Sequence, residues 1–214
     1  MSSRRPLPRV VGICGVRRAG KDTVAAHLVA REGYEVVRIA APLKRLVATA
    51  FDLSPELVEG PEKDTHPVAA AQGRTPRALL QWLGDAFKAE FGEDFWMRQA
   101  LRDVDEALAR SRGVVIPDVR FAREAQLLRA AYGDAARVVR ETRGPWGPRG
   151  AAAGGAPGVD AHASETQAAR IHVDACVVNA EDVPALLRAA DRALAALRDA
   201  PPPVNGAWCL AAGE

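Results

Sequence analysis

The nine residues Gly15-Val-Arg-Arg-Ala-Gly20-Lys21-Asp22-Thr23 hold two glycines and a lysine at the spacing that grips a phosphate chain. Glycines let successive backbone N–H groups curl around an anion. The N-terminus of the following helix adds partial positive charge, and Lys21 reaches the β and γ phosphates of a bound nucleotide. Such a loop works only between a strand and a helix. Val10-Val-Gly-Ile-Cys14 is a short β-branched run, and Thr23 to Arg31 carries apolar residues at helical intervals, so both neighbours are expected. Gly15, Arg17, Arg18, Ala19, Gly20, Lys21, Asp22 and Thr23 are the residues expected to hold a nucleotide.

Asp22 stands where a Ser or Thr hydroxyl usually meets Mg²⁺. It reads as a metal ligand, as an acid favoured in a helical first turn, or as both, with Thr23 next in line. Ile116-Pro-Asp118-Val-Arg120-Phe121 lies at the end of a third apolar run. There Asp118 can hold Mg²⁺ through water and Arg120 can face phosphates, although such a pair also serves as a plain loop salt bridge. Arg77 and Gln81 are four apart on one face of a helix that opens at Thr75, so a guanidinium and an amide can point together at a ligand, or lie on a solvated face. Arg140, Arg143 and Arg149 border or lie in a Gly-rich segment; arginines on a closing lid stabilise a transferring phosphoryl group, and Arg143 joins Lys21, Asp118 and Arg120 as the catalytic set. Ser164 and Glu165, after His162, read on composition as a helix start.

The elements that must position these residues alternate. Glu35 to Ile39 is a second short strand, and a helix follows with Leu43, Leu46, Val47 and Ala50 on one face. Ser54 to Gly73 reads as an ordered loop or broken helix. Thr75 caps a helix to about Glu90, and another runs from Asp94 to Arg110. Gly113 to Pro117, Ala136 to Arg140 and Val173 to Val178 are further strands, with helices over 122–132 and 183–197. Gly144 to Gly158 holds six Gly and three Pro in fifteen residues and forms either a disordered insert or a mobile lid. Trp82, Phe87, Phe91, Phe95 and Trp96 are spaced as helical core. Short strands alternating with helices imply a mostly parallel sheet of about five strands between two helical layers, an α/β/α fold with ligands at the strand carboxyl ends. The expected organisation is one domain over 1–198, a helical substrate-binding region at about 41–110, a lid at about 142–162 and a tail over 199–214.

Length and composition fit this picture. The 214 residues suffice for one well-cored domain, and 48% hydrophobic with 26% charged residues exclude a disordered or collagen-like chain. Lys+Arg 29 against Asp+Glu 27 gives +2, without the dense basic stripe of a dedicated nucleic-acid binder. Three cysteines at long spacings indicate neither a disulfide framework nor a zinc knuckle, which suits a reducing cytosol. No signal-like or membrane-length apolar stretch is seen, so a soluble cytoplasmic protein is expected.

Four blocks together resemble the deoxynucleoside monophosphate kinases of bacteriophages and their bacterial relatives, a family of P-loop kinases. The loop Arg17-Arg-Ala-Gly-Lys-Asp-Thr23 is similar to the family's basic pair, small residue and Gly-Lys-Asp-Thr. Ile39-Ala-Ala-Pro-Leu-Lys44 is similar to a second block, with Ala41 where an Asp is frequent. Thr75-Pro-Arg77-Ala-Leu-Leu-Gln81-Trp-Leu-Gly84, with Asp94-Phe-Trp96 downstream, is similar to a third; Asp118-Val-Arg-Phe121 and the post-lid His162-Ala-Ser164-Glu165 complete the set. The resemblance spans about residues 10 to 166. It implies a P-loop kinase fold and transfer of the γ-phosphoryl of ATP to the 5′-phosphate of a deoxynucleoside monophosphate, with Lys21 and Mg²⁺ neutralising the donor. Lys44, Arg77, Gln81, Arg120, Ser164 and Glu165 would contact the acceptor, whose class is small nucleotides, and a homodimer is one option for assembly.

Other readings share the loop. A related kinase could act on a hydroxymethylated base within DNA, which needs a basic groove and would make nucleic acid a partner. Another small phosphorylated metabolite could be the acceptor, or the chain could bind nucleotide without catalysis. A GTP switch should show Asn-Lys-x-Asp, and the sequence has none.

Overall fold

The computed structural model describes residues 7–16, 19–143, 171–179 and 182–199. They divide into two compact units, one of residues up to Val37 and from Val104 onward, the other Arg38–Asp103.

The first unit is built on a five-stranded sheet. In chain order it contains β1 (Val10–Gly15), α1 (Lys21–Glu32), β2 (Tyr34–Val36), β3 (Gly113–Val119), α6 (Ala122–Tyr132), β4 (Ala136–Arg143), β5 (Ala175–Asn179) and α7 (Val183–Asp199). The strand order is β2-β3-β1-β4-β5, and every pairing is parallel. Parallel neighbours need crossovers, which the helices supply, and both sheet faces are then covered. On one face, Val24, Ala25 and Leu28 of α1 and Leu186, Ala190 and Leu194 of α7 close over Val11, Ile13, Val115, Val139 and Val177. On the other, a methyl added to Gly12 would lie 3.1 Å from Leu128 of α6, so that helix rests directly on β1. The three layers and the loop after β1 make this a P-loop NTPase arrangement. β1 has β3 on one side and β4 on the other, so the crossovers diverge at its carboxyl end, where doubly wound sheets bind ligands.

Two strand boundaries differ from the expected ones. β2 ends at Val36 rather than Ile39, while β3 continues through Pro117 to Val119. A proline inside a strand flanked on both sides would cost a ladder bond, but the register against β1 slips there, from Gly12 opposite Ile116 to Cys14 opposite Val119. Pro117 occupies this irregularity.

The second unit is helical, with α2 (Ala41–Ala50), α3 (Pro55–Glu59), 3₁₀ turns at Pro61–Asp64 and Ala69–Ala71, and α4 (Pro76–Phe91). α5 (Phe95–Arg110) contains the boundary between the units. Val47, Val58, Val68 and Leu79 form its core with Leu43, Phe51 and Leu83 packed against them. Glycine at position 84 lets α4 approach α2, since a Cβ there would lie 3.2 Å from Leu43 Cδ2. The carbonyl of Gly84 accepts a 3.1 Å bond from the buried Trp96 indole. The aromatic set is only partly core: Trp96 is buried, whereas Trp82 and Phe91 are each more than half exposed. The spacing reads all five as helical core, but Trp82 falls outside the face along which α4 packs.

Among the described residues, no helix is long and apolar enough to cross a membrane.

Candidate functional site

The phosphate-loop residues follow β1 directly. Gly15 and Gly20 have φ of 144° and 116°, backbone that a side chain would strain, so both glycines are required by the turn itself. Ala19 between them is fully buried, and Gly20 is the N-cap of α1 without any side-chain cap. The N-terminus of a helix carries partial positive charge, and here it directly follows the loop. Lys21 folds its ammonium back over the loop, donating to the carbonyls of Gly15 (3.0 Å) and Val16 (2.7 Å). Asp22 is exposed in the first turn of α1 and Thr23 half-buried beside it. Arg17 and Arg18 lie outside the described residues.

Asp118 and Arg120 are brought level with the start of this loop. Val119 is the register partner of Cys14, the residue before Gly15, so the residues on either side of Val119 flank the loop's root. Asp118 is half-buried and Arg120 exposed. The turn carrying Arg120 is fastened by Glu124, whose carboxylate accepts from the backbone N–H groups of Arg120 (2.7 Å) and Phe121 (3.0 Å). The loop is fastened as well: Asn179, the last residue of β5, donates its side-chain amide to the Ala19 carbonyl at 2.6 Å. Neither Glu124 nor Asn179 was among the expected residues. Glu124 could have been found from an acid three positions into the helix after Phe121. Asn179 had no signal, since its partner is a backbone atom 160 residues away.

The remaining described candidates sit in the helical unit. Lys44 of α2 donates to the Glu59 carboxylate, and Arg77, in the first turn of α4, donates through Nε to Asp64. Thr75 caps α4, its hydroxyl accepting from the Ala78 N–H at 3.2 Å. Gln81 follows one turn after Arg77 and is exposed. Arg143 closes β4, but its side chain, like Arg149, His162, Ser164, Glu165, the lid from residue 144 and the tail from residue 200, lies outside the described residues.

The chemistry of the donor set fits a magnesium-bound triphosphate. Asp22 and Asp118 offer hard oxygen ligands in the sheet unit, and Mg²⁺ is commonly held by one or two carboxylates together with substrate phosphates. No group of three or more metal-binding side chains occurs among the described residues.

No protein-family model matches the chain. A protein of Acanthamoeba polyphaga mimivirus described as "Putative deoxynucleotide monophosphate kinase" is 27% identical over 147 residues, covering 61% of this chain and 74% of that protein. Among solved structures, a gluconokinase from Sinorhizobium meliloti 1021 aligns with a TM-score of 0.44 at 15% identity over 91% of this chain and 96% of its own. The chain thus places a phosphate-loop sequence at the carboxyl end of β1 in a parallel sheet, and over those 147 residues it is similar to a protein described as a deoxynucleotide monophosphate kinase.

Proposed function

We propose that the protein transfers the γ-phosphoryl group of ATP to the 5′-phosphate of a nucleoside monophosphate, a deoxynucleotide in the first instance, giving ADP and the diphosphate. One observation carries the donor half: α1 starts at Lys21 straight after the left-handed Gly20, and the Lys21 ammonium lies back on the carbonyls of Gly15 and Val16 at the root of the loop. The acceptor class is supported by the sequence similarity to the mimiviral protein.

In this reading Gly15, Arg17, Arg18, Ala19, Gly20 and Thr23 wrap the phosphate chain. Lys21 leaves the Gly15 and Val16 carbonyls for the β and γ oxygens, exchanging two neutral acceptors for charged ones. Asp22 and Asp118 would hold Mg²⁺, which would supply neutralisation of the charge that develops on the transferring group. Arg120 faces the transferring phosphoryl from a turn that Glu124 holds still. Lys44, Arg77 and Gln81 are assigned to the acceptor, and the family resemblance adds Ser164 and Glu165 as acceptor contacts and Arg143 as a lid arginine. No covalent intermediate or strong general base is required, because phosphoryl transfer depends on in-line positioning and charge neutralisation.

The test is Lys21→Met. Loss of one preorganised charge costs about 100-fold or more in turnover, so ADP release with deoxynucleoside monophosphates should fall at least that far while the circular dichroism spectrum is unchanged. Full activity in this variant would overturn the donor assignment. Including hydroxymethylated DNA as an acceptor in the same assay tests the base-modifying alternative.

A further inference from the structure

We infer that Lys63 is a phosphate-binding residue, completing with Lys44 and Arg77 an anion site on the helical unit that takes the acceptor's 5′-phosphate; this rests on the kinase reading above. Three cations from three elements meet on one short stretch of chain. Lys44 comes from α2, Arg77 from α4, and Lys63 from the 3₁₀ turn Pro61–Asp64 itself. Lys44 reaches the Glu59 carboxylate, Lys63 donates to the Glu59 carbonyl at 3.0 Å, and Arg77 reaches Asp64. The two lysines thus share one residue, and the arginine holds the residue next to Lys63.

The arrangement makes poor sense as a stabilising network alone. Arg77 and Asp64 are each more than a third exposed and Glu59 more than half, and exposed ion pairs contribute little to stability. Arg77 also stands in the first turn of a 16-residue helix, where the positive end of the macrodipole disfavours a cation, and no acid lies in that turn. The positive helix end and the guanidinium both call for an anion from elsewhere. Asp64 engages Arg77 through Nε, so the Nη pair is the part of the fork that a phosphate would take side by side. Lys63 itself sits beside two other cations, partly offset by the carboxylates of Asp64 and Glu59. Burial lowers its ammonium below the ordinary lysine value, and the like charges of Arg77 and Lys44 lower it further, against the opposing pull of Asp64 and Glu59. A phosphate dianion among three such cations relieves their mutual repulsion, which the two singly charged carboxylates only offset. Glu59 and Asp64 then act as positioning residues that hold Lys44 and Arg77 in place.

The experiment compares the intact wild-type chain with Lys63→Met and Lys63→Arg. Initial rates are measured over the four deoxynucleoside 5′-monophosphates with saturating ATP and Mg²⁺, and again with ATP varied. The expected result for K63M is an acceptor KM raised at least about tenfold, an unchanged KM for ATP, and kcat within about threefold of wild type; K63R keeps the charge and restores most of the loss. An unchanged acceptor KM in K63M, or an equal rise in the KM for ATP, overturns the inference while leaving the kinase reading intact. Absence of transfer by the wild-type enzyme overturns the kinase reading instead. In that event calorimetric titration with the same four monophosphates decides the site alone: binding by wild type that is lost in K63M and kept in K63R supports it, and equal binding or none in all three overturns it.

Discussion

The residues that touch phosphate in this reading are themselves held by residues that do not. Asn179 is the clearest case, because its amide at the end of β5 is the described side-chain tie to the Ala19 carbonyl inside the phosphate loop. A neutral hydrogen bond of this kind is worth roughly 0.5–1.5 kcal/mol, which is about a three- to tenfold effect on the population of the ordered loop. Asn179→Ala should therefore lower kcat/KM for ATP by about that factor, with the acceptor KM little changed. Asn179→Asp should do worse, since a carboxylate offers no donor to the carbonyl and repels an incoming triphosphate. Varying ATP at saturating acceptor separates the two; if both variants match wild type, the loop is held by its own backbone. The residues proposed to bind phosphate stand out in the sequence because glycine and lysine carry that chemistry intrinsically. The residues that hold them do not: Asn179, Glu59 and Asp64 acquire their roles only from chain segments brought alongside by folding.

At the scale of elements, the amino end of the sheet is tightly packed where β2 and β3 begin. Gly113 begins β3 against the ring of Tyr34 at the start of β2, and a Cβ at 113 would lie 2.7–2.9 Å from three ring atoms. The ring cannot retreat easily, since Tyr34 is 5% exposed and its hydroxyl donates to the Pro8 carbonyl just before β1. Gly113→Ala should thus destabilise by about 1–3 kcal/mol, the usual cost of overpacking, lowering the urea midpoint with an unchanged slope; a variant as stable as wild type would mean that the strand end yields. Most helices and strands could be read in advance, because apolar spacing and the Thr75 cap are local signals. What could not be read was set by partners. β3 runs on through Pro117 because β1 slips register beside it, and Trp82 is exposed because α4 is covered along one stripe rather than around its girth.

For the molecule as a whole, chain order separates the proposed roles: donor residues belong to the sheet unit and Lys44, Arg77 and Gln81 to Arg38–Asp103. The alternation of strands and helices made the sheet unit legible, whereas the strand order β2-β3-β1-β4-β5 required long-range pairing that no local pattern encodes. The sheet unit also carries a titration that reports on its folding. Burial pushes the Tyr34 phenol from 10.0 up to about 12, the Glu32 carboxylate adding to the rise and Arg198 opposing it. The unfolded phenol ionises near 10 while the folded one keeps its proton, so Tyr34's contribution is whole below about pH 10 and is lost as pH climbs through about 12. Tyr132 is shifted upward as well, by burial and by its bond to Asp105, so the alkaline loss has more than one source. Tyr34→Phe should lower stability at neutral pH by removing the bond to Pro8, yet flatten its decline between about pH 10 and 12. Urea unfolding across that range measures the slope directly; a slope identical to wild type would place the alkaline weakness in Tyr132 and elsewhere rather than at the junction of β1, β2 and β3.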